Sequence, residues 1–246
     1  MAGAEVNPSA LTLLLTRPEA QARRFAREAE ARLGPFGQVI VAPLMQIVPL
    51  EPFPPVPDGA ELAFTSENAV AVAAPRLGGT GRRAWCVGDR TAEAARAAGF
   101  DAVSAGGDAA ALAALIARSG PAGDILHLSG RHQRGELAAQ LAQAGLTARR
   151  VPVYDQAARP LREPARAALD GPAPVLVPLF SPRSAALLSQ EIARGARAPL
   201  LVAALSPAVA SAWTGPGPES LEVAERPDAD ALLAALARLV TRRAGA

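Results

Sequence analysis

Six short turns rich in hydroxyl side chains and glycine stand between apolar runs and helical patterns. They are Thr16-Arg17, Thr65-Ser66, Gly88-Asp89, Ser129-Gly130-Arg131, Ser181-Pro182 and Ser206-Pro207. If the apolar runs are parallel strands, these turns lie at the carboxyl ends, where open α/β sheets bind ligands. A helix N-terminus favours anions, so the set as a whole would suit a large ligand with many carboxylates. For any single turn, the simpler interpretation of its Ser or Thr is a helix N-cap.

Four arginines accompany three of these turns, and guanidinium groups bind carboxylates through two parallel hydrogen bonds. The arginines concerned are Arg17, Arg131, Arg134 and Arg183. The alternative for each is an ordinary solvated surface arginine. Tyr154, the only tyrosine, lies on an extended segment, where its phenol could donate a proton to a ligand. From the residues alone, a packing role with a solvated hydroxyl is the simpler interpretation of Tyr154.

The common catalytic and cofactor patterns do not occur in the sequence. His127 and His132 have no cysteine partner and no second histidine pair, so no metal site is predicted. Cys86 lies within an apolar run and is expected to be a small buried hydrophobic residue. The glycines of residues 78–81 do not follow a strand, so they form no dinucleotide fingerprint. We therefore expect no cofactor.

The charge and the cysteine content restrict the partners and the compartment. The formal net charge is only +2, the chain contains no lysine, and its arginines are scattered, whereas nucleic-acid binding requires a clustered basic surface. A single cysteine excludes a disulfide framework and fits a reducing compartment. No signal-peptide pattern and no membrane-length apolar run are found. A cytoplasmic protein that binds a small molecule, but neither nucleic acid nor membrane, is expected.

Apolar runs alternate with amphipathic Ala/Leu/Arg-rich segments, which predicts parallel sheets covered by helices. The predicted strands are residues 11–15, 61–64, 84–87, 102–103, 125–128, 175–180, 200–205 and 221–224. The predicted helices include residues 18–33, 91–98, 108–118, 135–144, 164–169, 184–193, 207–213 and 228–240. Two extended segments rich in valine and proline, residues 38–50 and 146–157, interrupt the alternation and are interpreted as connectors.

An internal repeat gives an explanation for the two connectors. Phe64-Thr65-Ser66-Glu67-Asn68-Ala69 resembles Phe180-Ser181-Pro182-Arg183-Ser184-Ala185, and Val87-Gly88-Asp89-Arg90-Thr91-Ala92 resembles Leu205-Ser206-Pro207-Ala208-Val209-Ala210. The last strand-helix unit of the second copy comes first in the chain. The repeat therefore predicts one α/β domain from residues 8–37 and 158–243 and another from residues 51–145. The connectors are expected to pair as an antiparallel ribbon, with a ligand cleft between the domains.

Taken together, these motifs resemble the uroporphyrinogen-III synthase family. The resemblance runs through Leu15-Thr16-Arg17-Pro18, residues 64–70, 87–92 and 130–145, Val153-Tyr154 and residues 180–185, in the same order over nearly the whole chain. It implies cofactor-free cyclisation of hydroxymethylbilane, a linear tetrapyrrole with eight carboxylates. Water leaves, an azafulvene forms, and the terminal ring is inverted through a spiro intermediate.

The resemblance also assigns roles to individual residues. The family's tyrosine falls on Tyr154, as a proton donor to the leaving hydroxyl, and the threonine of its second domain falls on Thr91. The residues expected to bind substrate are Arg17, Thr65, Ser66, Asn68, Gly88, Thr91, Ser129, Gly130, Arg131, Ser181, Arg183, Ser184 and Ser206. The chain departs from the family at Val209, Ser206 and Ser129, where the family has threonine, glycine and arginine.

Two other classes of protein are compatible with the same motifs. A non-catalytic module of this fold would bind a tetrapyrrole or another polyanion without turnover. A two-domain small-molecule-binding protein would have no connection to tetrapyrroles. Turnover of fresh hydroxymethylbilane separates the enzyme from both alternatives, and we expect the enzyme to be a monomer.

Overall fold

The computed structural model describes residues 8–79, 81–132, 136–193 and 195–244. It divides the chain into two compact units: one contains the chain up to residue 46 and from residue 158 onward, and the other contains residues 47–157. In chain order the strands are β1 (Thr12–Leu15), β2 (Gln38–Val41), β3 (Met45–Pro49), β4 (Glu61–Phe64), β5 (Arg83–Cys86), β6 (Asp101–Ser104), β7 (Ile125–Gly130), β8 (Ala148–Ala158), β9 (Val175–Leu179), β10 (Leu200–Ala204) and β11 (Ser220–Val223).

The helices connect and cover these strands. A 3-10 turn at Pro8–Ala10 precedes β1, and the α-helices are α1 (Glu19–Leu33), α2 (Glu67–Leu77), α3 (Asp89–Ala97), α4 (Ala109–Ser119), α5 (Leu137–Gln143), α6 (Glu163–Asp170), α7 (Pro182–Glu191), α8 (Pro207–Ser211) and α9 (Ala229–Ala244). No helix within these described ranges has the length and apolar character that crossing a membrane requires.

The discontinuous unit is built around a five-stranded sheet in the order β11-β10-β9-β1-β2. The strands pair in parallel. Leu13 and Leu15 of β1 enter a core with α1 and α9, whereas Leu14 enters the core on the opposite face with α6, α7 and α8. Because both faces are covered, the central strands β9 and β10 are apolar at every position, and β1 is apolar after Thr12.

The continuous unit contains a six-stranded sheet in the order β3-β8-β7-β4-β5-β6. The strands from β8 to β6 pair in parallel. One face packs against α2 and α3, and the other packs against α4 and α5. The carboxyl ends of β4, β5 and β7 therefore lie along one edge of the sheet, and the turns that follow them lead into α2, α3 and α5.

The predicted α/β class with parallel sheets is confirmed. Each of the eight predicted strands is present, with ends that differ by one or two residues, because buried parallel strands appear in the sequence as short continuous apolar runs. Helix α2 is additional to the helices named from the sequence. Residues Arg134 and Gly135, at the predicted start of α5, lie outside the described residues.

The interpretation of residues 38–50 and 146–157 as connectors is wrong for much of their length. Residues 38–41 form β2, which pairs in parallel with β1 at the sheet edge. Residues 148–154 pair in parallel with β7. Because residues 146–157 contain proline, the sequence did not predict a strand there. In the structure, Pro152 lies opposite Ser129, next to an irregularity in the ladder at Ser129/Gly130. A missing N–H group is tolerated at such an irregularity.

The ribbon consists of β3 and the later part of β8, which are neighbours in the sheet order. The N–H group of Leu50 donates to the carbonyl of Val153 at 2.9 Å, and that of Arg159 donates to the carbonyl of Leu44 at 2.8 Å. Residue numbers rise along one strand as they fall along the other, so the pairing is antiparallel, as the sequence predicted. The chain leaves one unit within β3 and returns within β8.

A matched pair of glycines tests the close approach at the starts of β4 and β7. A Cβ atom on Gly123 would lie 2.4 Å from the carbonyl oxygen of Gly59, whereas a Cβ atom on Gly59 would meet nothing within 4 Å. We expect Gly123→Ala to lower the free energy of unfolding by about 1–3 kcal/mol through overpacking. Gly59→Ala should change it by less than about 0.5 kcal/mol. Denaturant unfolding of both variants measures the difference, and equal stabilities would contradict this packing.

Candidate active site

Tyr154 lies on β8 and packs directly on Gly130, the last residue of β7. The ladder shifts at Ser129/Gly130, so that Gly130 lies opposite Tyr154. A Cβ atom on Gly130 would lie 2.7 Å from Cζ and 3.0 Å from the hydroxyl oxygen of Tyr154. Only a glycine therefore admits the phenol ring in this position. The side chain is buried, with 3% of its surface exposed.

The hydroxyl group of Tyr154 is hydrogen-bonded to the side chains of Ser66 and Asn68. These residues belong to the turn after β4 and the first turn of α2. Burial raises the pKa of Tyr154 above its ordinary value, while these hydrogen bonds and the charge of Arg150 oppose the rise. The phenol therefore keeps its proton at neutral pH and is available as a donor.

Ser66 also caps α2. Its side chain accepts a hydrogen bond from the backbone N–H of Asn68 at 3.2 Å. The simpler interpretation of this serine, an N-cap, thus holds together with a contact to Tyr154. The structure brings Ser66, Asn68, Gly130 and Tyr154 into one cluster, in which three adjacent strands and the start of α2 meet.

Arg150 organises the same region and was not predicted from the sequence. Its Nε donates to the hydroxyl oxygen of Ser129 at 2.9 Å, and its Nη2 donates to the carbonyls of Gly130 at 2.5 Å and Arg131 at 2.9 Å. One guanidinium thus holds three consecutive residues, the last two of β7 and the first of the turn that follows. The position of Arg150 on β8 could have revealed it, but the segment was interpreted as a connector.

His127 and Thr65 form a second polar pair at this end of the sheet. The Nε2 atom of His127 lies 2.9 Å from the hydroxyl oxygen of Thr65. His127 is 1% exposed, and its Nδ1 has no hydrogen-bond partner among the described residues. Burial, aided by the charge of Arg150, lowers the pKa of His127 to about 4. The imidazole is therefore neutral at physiological pH.

Arg131 projects from the turn after β7. Its Nη1 lies 3.1 Å from a carboxylate oxygen of Asp155, and Nε2 of His132 lies 3.0 Å from the other oxygen. The guanidinium remains largely exposed, so it can contact a ligand at the cost of a weak surface ion pair. Arg134, the second arginine predicted at this turn, lies outside the described residues.

Gly88 and Thr91 mark the start of α3 at the neighbouring strand end. Gly88 occupies the N-cap position without any side-chain cap, and a Cβ atom there would meet nothing within 4 Å. Thr91 is buried in the first turn of this helix. Binding of an anion by the backbone N–H groups of this turn, which the sequence predicted, stays a prediction.

In the discontinuous unit, Arg17 lies at the carboxyl end of β1. Its guanidinium carbon is 4.1 Å from the ring centroid of Phe180, which also contacts Phe25 edge-to-face at 4.8 Å. Stacking on the ring holds the guanidinium by a cation–π interaction. Beside it, Thr16 is 1% exposed, and its hydroxyl has no partner among the described residues.

The predicted serines of this unit serve as helix caps. Ser181 accepts from the N–H of Ser184 at 3.1 Å, and Ser184 in turn accepts from the N–H of Ser181 at 3.1 Å. Ser206 accepts from the N–H of Val209 at 3.4 Å. Arg183 is half-buried in the first turn of α7. Binding of substrate by these four predicted residues, Ser181, Arg183, Ser184 and Ser206, stays a prediction.

The single cysteine and the possible metal ligands remain to be described. Burial raises the pKa of the Cys86 thiol to about 12, which makes it unreactive. Within the described ranges, no group of three or more His, Cys, Asp or Glu side chains is arranged to hold a metal ion.

The sequence matches the family described as uroporphyrinogen-III synthase HemD over residues 25–234. No curated protein matches it. Among solved structures, a uroporphyrinogen-III synthetase from Helicobacter pylori is similar with a TM-score of 0.61 and 15% identity, covering 91% of this chain and 96% of that one. A mutant uroporphyrinogen III synthase from Thermus thermophilus gives a TM-score of 0.47 and 16% identity, covering 94% and 99%.

The low pKa of His127 predicts a specific loss of stability in acid. The unfolded chain has an ordinary histidine pKa of 6.5 and the folded chain about 4, so the unfolded state binds more protons between these values. The contribution is present above pH 6.5 and is lost as the pH falls toward 4, by on the order of 3 kcal/mol.

Unfolding free energies of wild type, His127→Gln and His132→Gln, measured from pH 7.5 to 4, test this prediction. The loss should persist in His132→Gln and become smaller in His127→Gln, which has no imidazole at the buried position. Identical pH dependence in wild type and His127→Gln would show that the imidazole is not buried in its neutral form.

Proposed function

The chain belongs to the uroporphyrinogen-III synthase family, and on this premise we propose that it cyclises hydroxymethylbilane to uroporphyrinogen III, with Tyr154 as the proton donor. The family is a group of cyclising lyases of tetrapyrrole biosynthesis. The observation that carries the assignment of Tyr154 is its protonated hydroxyl, which Ser66 and Asn68 hold at the carboxyl edge of the six-stranded sheet.

The reaction removes the hydroxyl group of the terminal hydroxymethyl carbon as water. Tyr154 donates a proton to the departing oxygen, the adjacent pyrrole nitrogen supplies the electron pair, and an azafulvene forms. The substituted carbon of the last ring attacks the azafulvene, and the spiro intermediate rearranges with inversion of that ring. The proton released when the ring regains aromaticity balances the one that left with the water, so Tyr154 is reprotonated without a net change.

Placement of the substrate is the second requirement of this reaction. Reacting ends of a flexible linear tetrapyrrole must be brought together, and correct positioning can supply a large part of the rate. We assign the substrate's carboxylates to the groups at the strand ends: the start of α3 at Gly88 and Thr91, the hydroxyl of Thr65, and the guanidinium of Arg131. In the discontinuous unit, Arg17 is the corresponding group.

The sequence predicts that Ser129 and Gly130 bind substrate, but under this proposal both have structural roles. The hydroxyl of Ser129 accepts from Arg150, so Ser129 holds the turn, and Gly130 provides the space for Tyr154. We infer that the polypeptide needs no cofactor and acts as a monomer in the cytoplasm. The serines of the helix caps, Ser181, Ser184 and Ser206, hold the starts of α7 and α8, to which we assign further carboxylates of the substrate.

Incubation with fresh hydroxymethylbilane tests the function. Hydroxymethylbilane also cyclises unaided, to the uninverted type I isomer, so we expect the protein to convert it mainly to the type III isomer. The products are separated after oxidation, with heat-denatured protein as the control. Dialysis against a chelator should leave the rate unchanged. Type I product only, together with tetrapyrrole binding, would instead identify a non-catalytic binding module.

Replacement of the phenol hydroxyl tests the role of Tyr154. Tyr154→Phe keeps the ring on Gly130 but removes the donor, so the rate should fall by about a hundred-fold or more. The fraction of type I product should rise because the spontaneous reaction competes. Ser119→Ala is the matched control, since it removes a hydroxyl bonded to the carbonyl of Leu115 at the end of α4 in the same unit. An unchanged rate and isomer ratio in well-folded Tyr154→Phe would leave Tyr154 only a packing role.

A further inference from the structure

His127 occupies a buried position at which an apolar side chain would be more stable. It lies on β7 between Ala63 of β4 and Arg150 of β8, in parallel register with both. Its Nε2 contacts the hydroxyl of Thr65, but its Nδ1 is buried and has no hydrogen-bond partner among the described residues. A buried polar atom left unsatisfied costs about 1–3 kcal/mol. A residue retained at such a cost indicates a task other than packing.

The surroundings of the ring decide which nitrogen carries the hydrogen. A neutral imidazole has one N–H and one lone pair. If Nδ1 carried the hydrogen, a buried N–H group would have no acceptor among the described residues. This N–H group would also face the positive charge of Arg150, which lies opposite His127 on the neighbouring strand. With the hydrogen on Nε2, the unsatisfied atom is a lone pair, which the positive charge of Arg150 stabilises. The Nε2–H tautomer is therefore favoured.

This tautomer fixes the polarity of the Thr65 hydroxyl. When Nε2–H of His127 donates to the oxygen, the hydroxyl hydrogen cannot point toward the ring. The single O–H of Thr65 is then directed away from the ring as a donor, while the oxygen keeps one further lone pair as an acceptor. An ionised carboxylate only accepts hydrogen bonds, so it requires a hydroxyl that donates, as Thr65 does in this arrangement.

We propose that His127 is a positioning residue that orients the Thr65 hydroxyl as a hydrogen-bond donor to a carboxylate of the substrate. The inference rests on the proposed function, because it refines how one of the predicted binding residues contacts the tetrapyrrole. Thr65 directly precedes Ser66, whose side chain contacts Tyr154. A carboxylate held at Thr65 is thereby placed beside the proton donor.

The tautomer can be measured without substrate. The chain contains two histidines, so in His132→Gln the imidazole nitrogen signals of ¹⁵N-histidine-labelled protein belong to His127 alone. We expect the spectrum of a neutral ring protonated at Nε2 from pH 6 to pH 8. A ring protonated at Nδ1, or a charged ring, would overturn the proposal. This measurement stands even if hydroxymethylbilane is not turned over.

Kinetics with hydroxymethylbilane test the consequence. His127→Leu removes the donor, and we expect KM to rise by about tenfold, equivalent to one hydrogen bond, with a smaller change in kcat. His127→Gln places an amide N–H close to the position of Nε2 and should restore KM to within about threefold of wild type. Thermal melting of each variant identifies any loss of fold.

A double mutant separates orientation of Thr65 from general packing. In the Thr65→Val background there is no hydroxyl to orient, so His127→Leu should cause no further rise in KM. An equal rise in both backgrounds, or a His127→Gln variant as impaired as His127→Leu, would overturn the proposal. Wild type that forms no type III product, although His127 is the expected tautomer, would contradict the proposed function. It would not contradict the orientation of the Thr65 hydroxyl by His127.

Discussion

The packing of Tyr154 on Gly130 is the constraint on which the polar cluster depends. A regular ladder between β7 and β8 would have kept residue 130 out of register with residue 154, and any side chain at residue 130 would have occupied the space of the phenol ring. Because the ladder shifts by one residue beside Pro152, the ring turns onto the end of β7. Its hydroxyl then meets Ser66 and Asn68 at the start of α2. A local irregularity in one sheet therefore positions the only tyrosine.

Arg150 connects this geometry to the electrostatics of the cluster. Its guanidinium holds the turn after β7 through Ser129 and two carbonyls, and its charge acts on two titratable side chains in the same direction. It opposes protonation of His127, and it opposes the rise in the pKa of Tyr154 that burial causes. Burial and the charge of Arg150 together keep the histidine neutral, whereas burial keeps the phenol protonated against the effect of the same charge. One cation, which lies on the strand next to His127 and on the same strand as Tyr154, therefore acts on both titratable groups.

The parts of the fold that could be predicted are those whose signal is local. Central strands such as β4 and β9 are buried on both faces, so they appear as apolar runs, and the turns after them locate the strand ends. Strands β2 and β8 were missed because prolines stand in both segments: Pro43 and Pro49 follow the short apolar run of β2, and Pro152 lies within β8. The residues of the candidate site divide in the same way, into those with a local signal in the sequence and those without one. Thr65, Ser66 and Tyr154 were predicted from turns and motifs, whereas the roles of Arg150 and His127 arise from cross-strand register, which no short stretch of sequence encodes.

The two copies of the repeat have equivalent helix starts with unequal capacity to bind anions. In the discontinuous unit, α7 and α8 each begin with a serine cap followed by proline, so the first position has no N–H and the third donates to the cap. The start of α3 has Gly88 at the N-cap position and no side-chain cap. No capping side chain therefore accepts from the first N–H groups of this helix. Among these three helix starts, that of α3 is therefore the one without a side-chain cap, and in the discontinuous unit the guanidinium of Arg17 is held on Phe180. Val209 stands where the resemblance implies a threonine; it lies in the first turn of α8, and its apolar side chain is buried in the core.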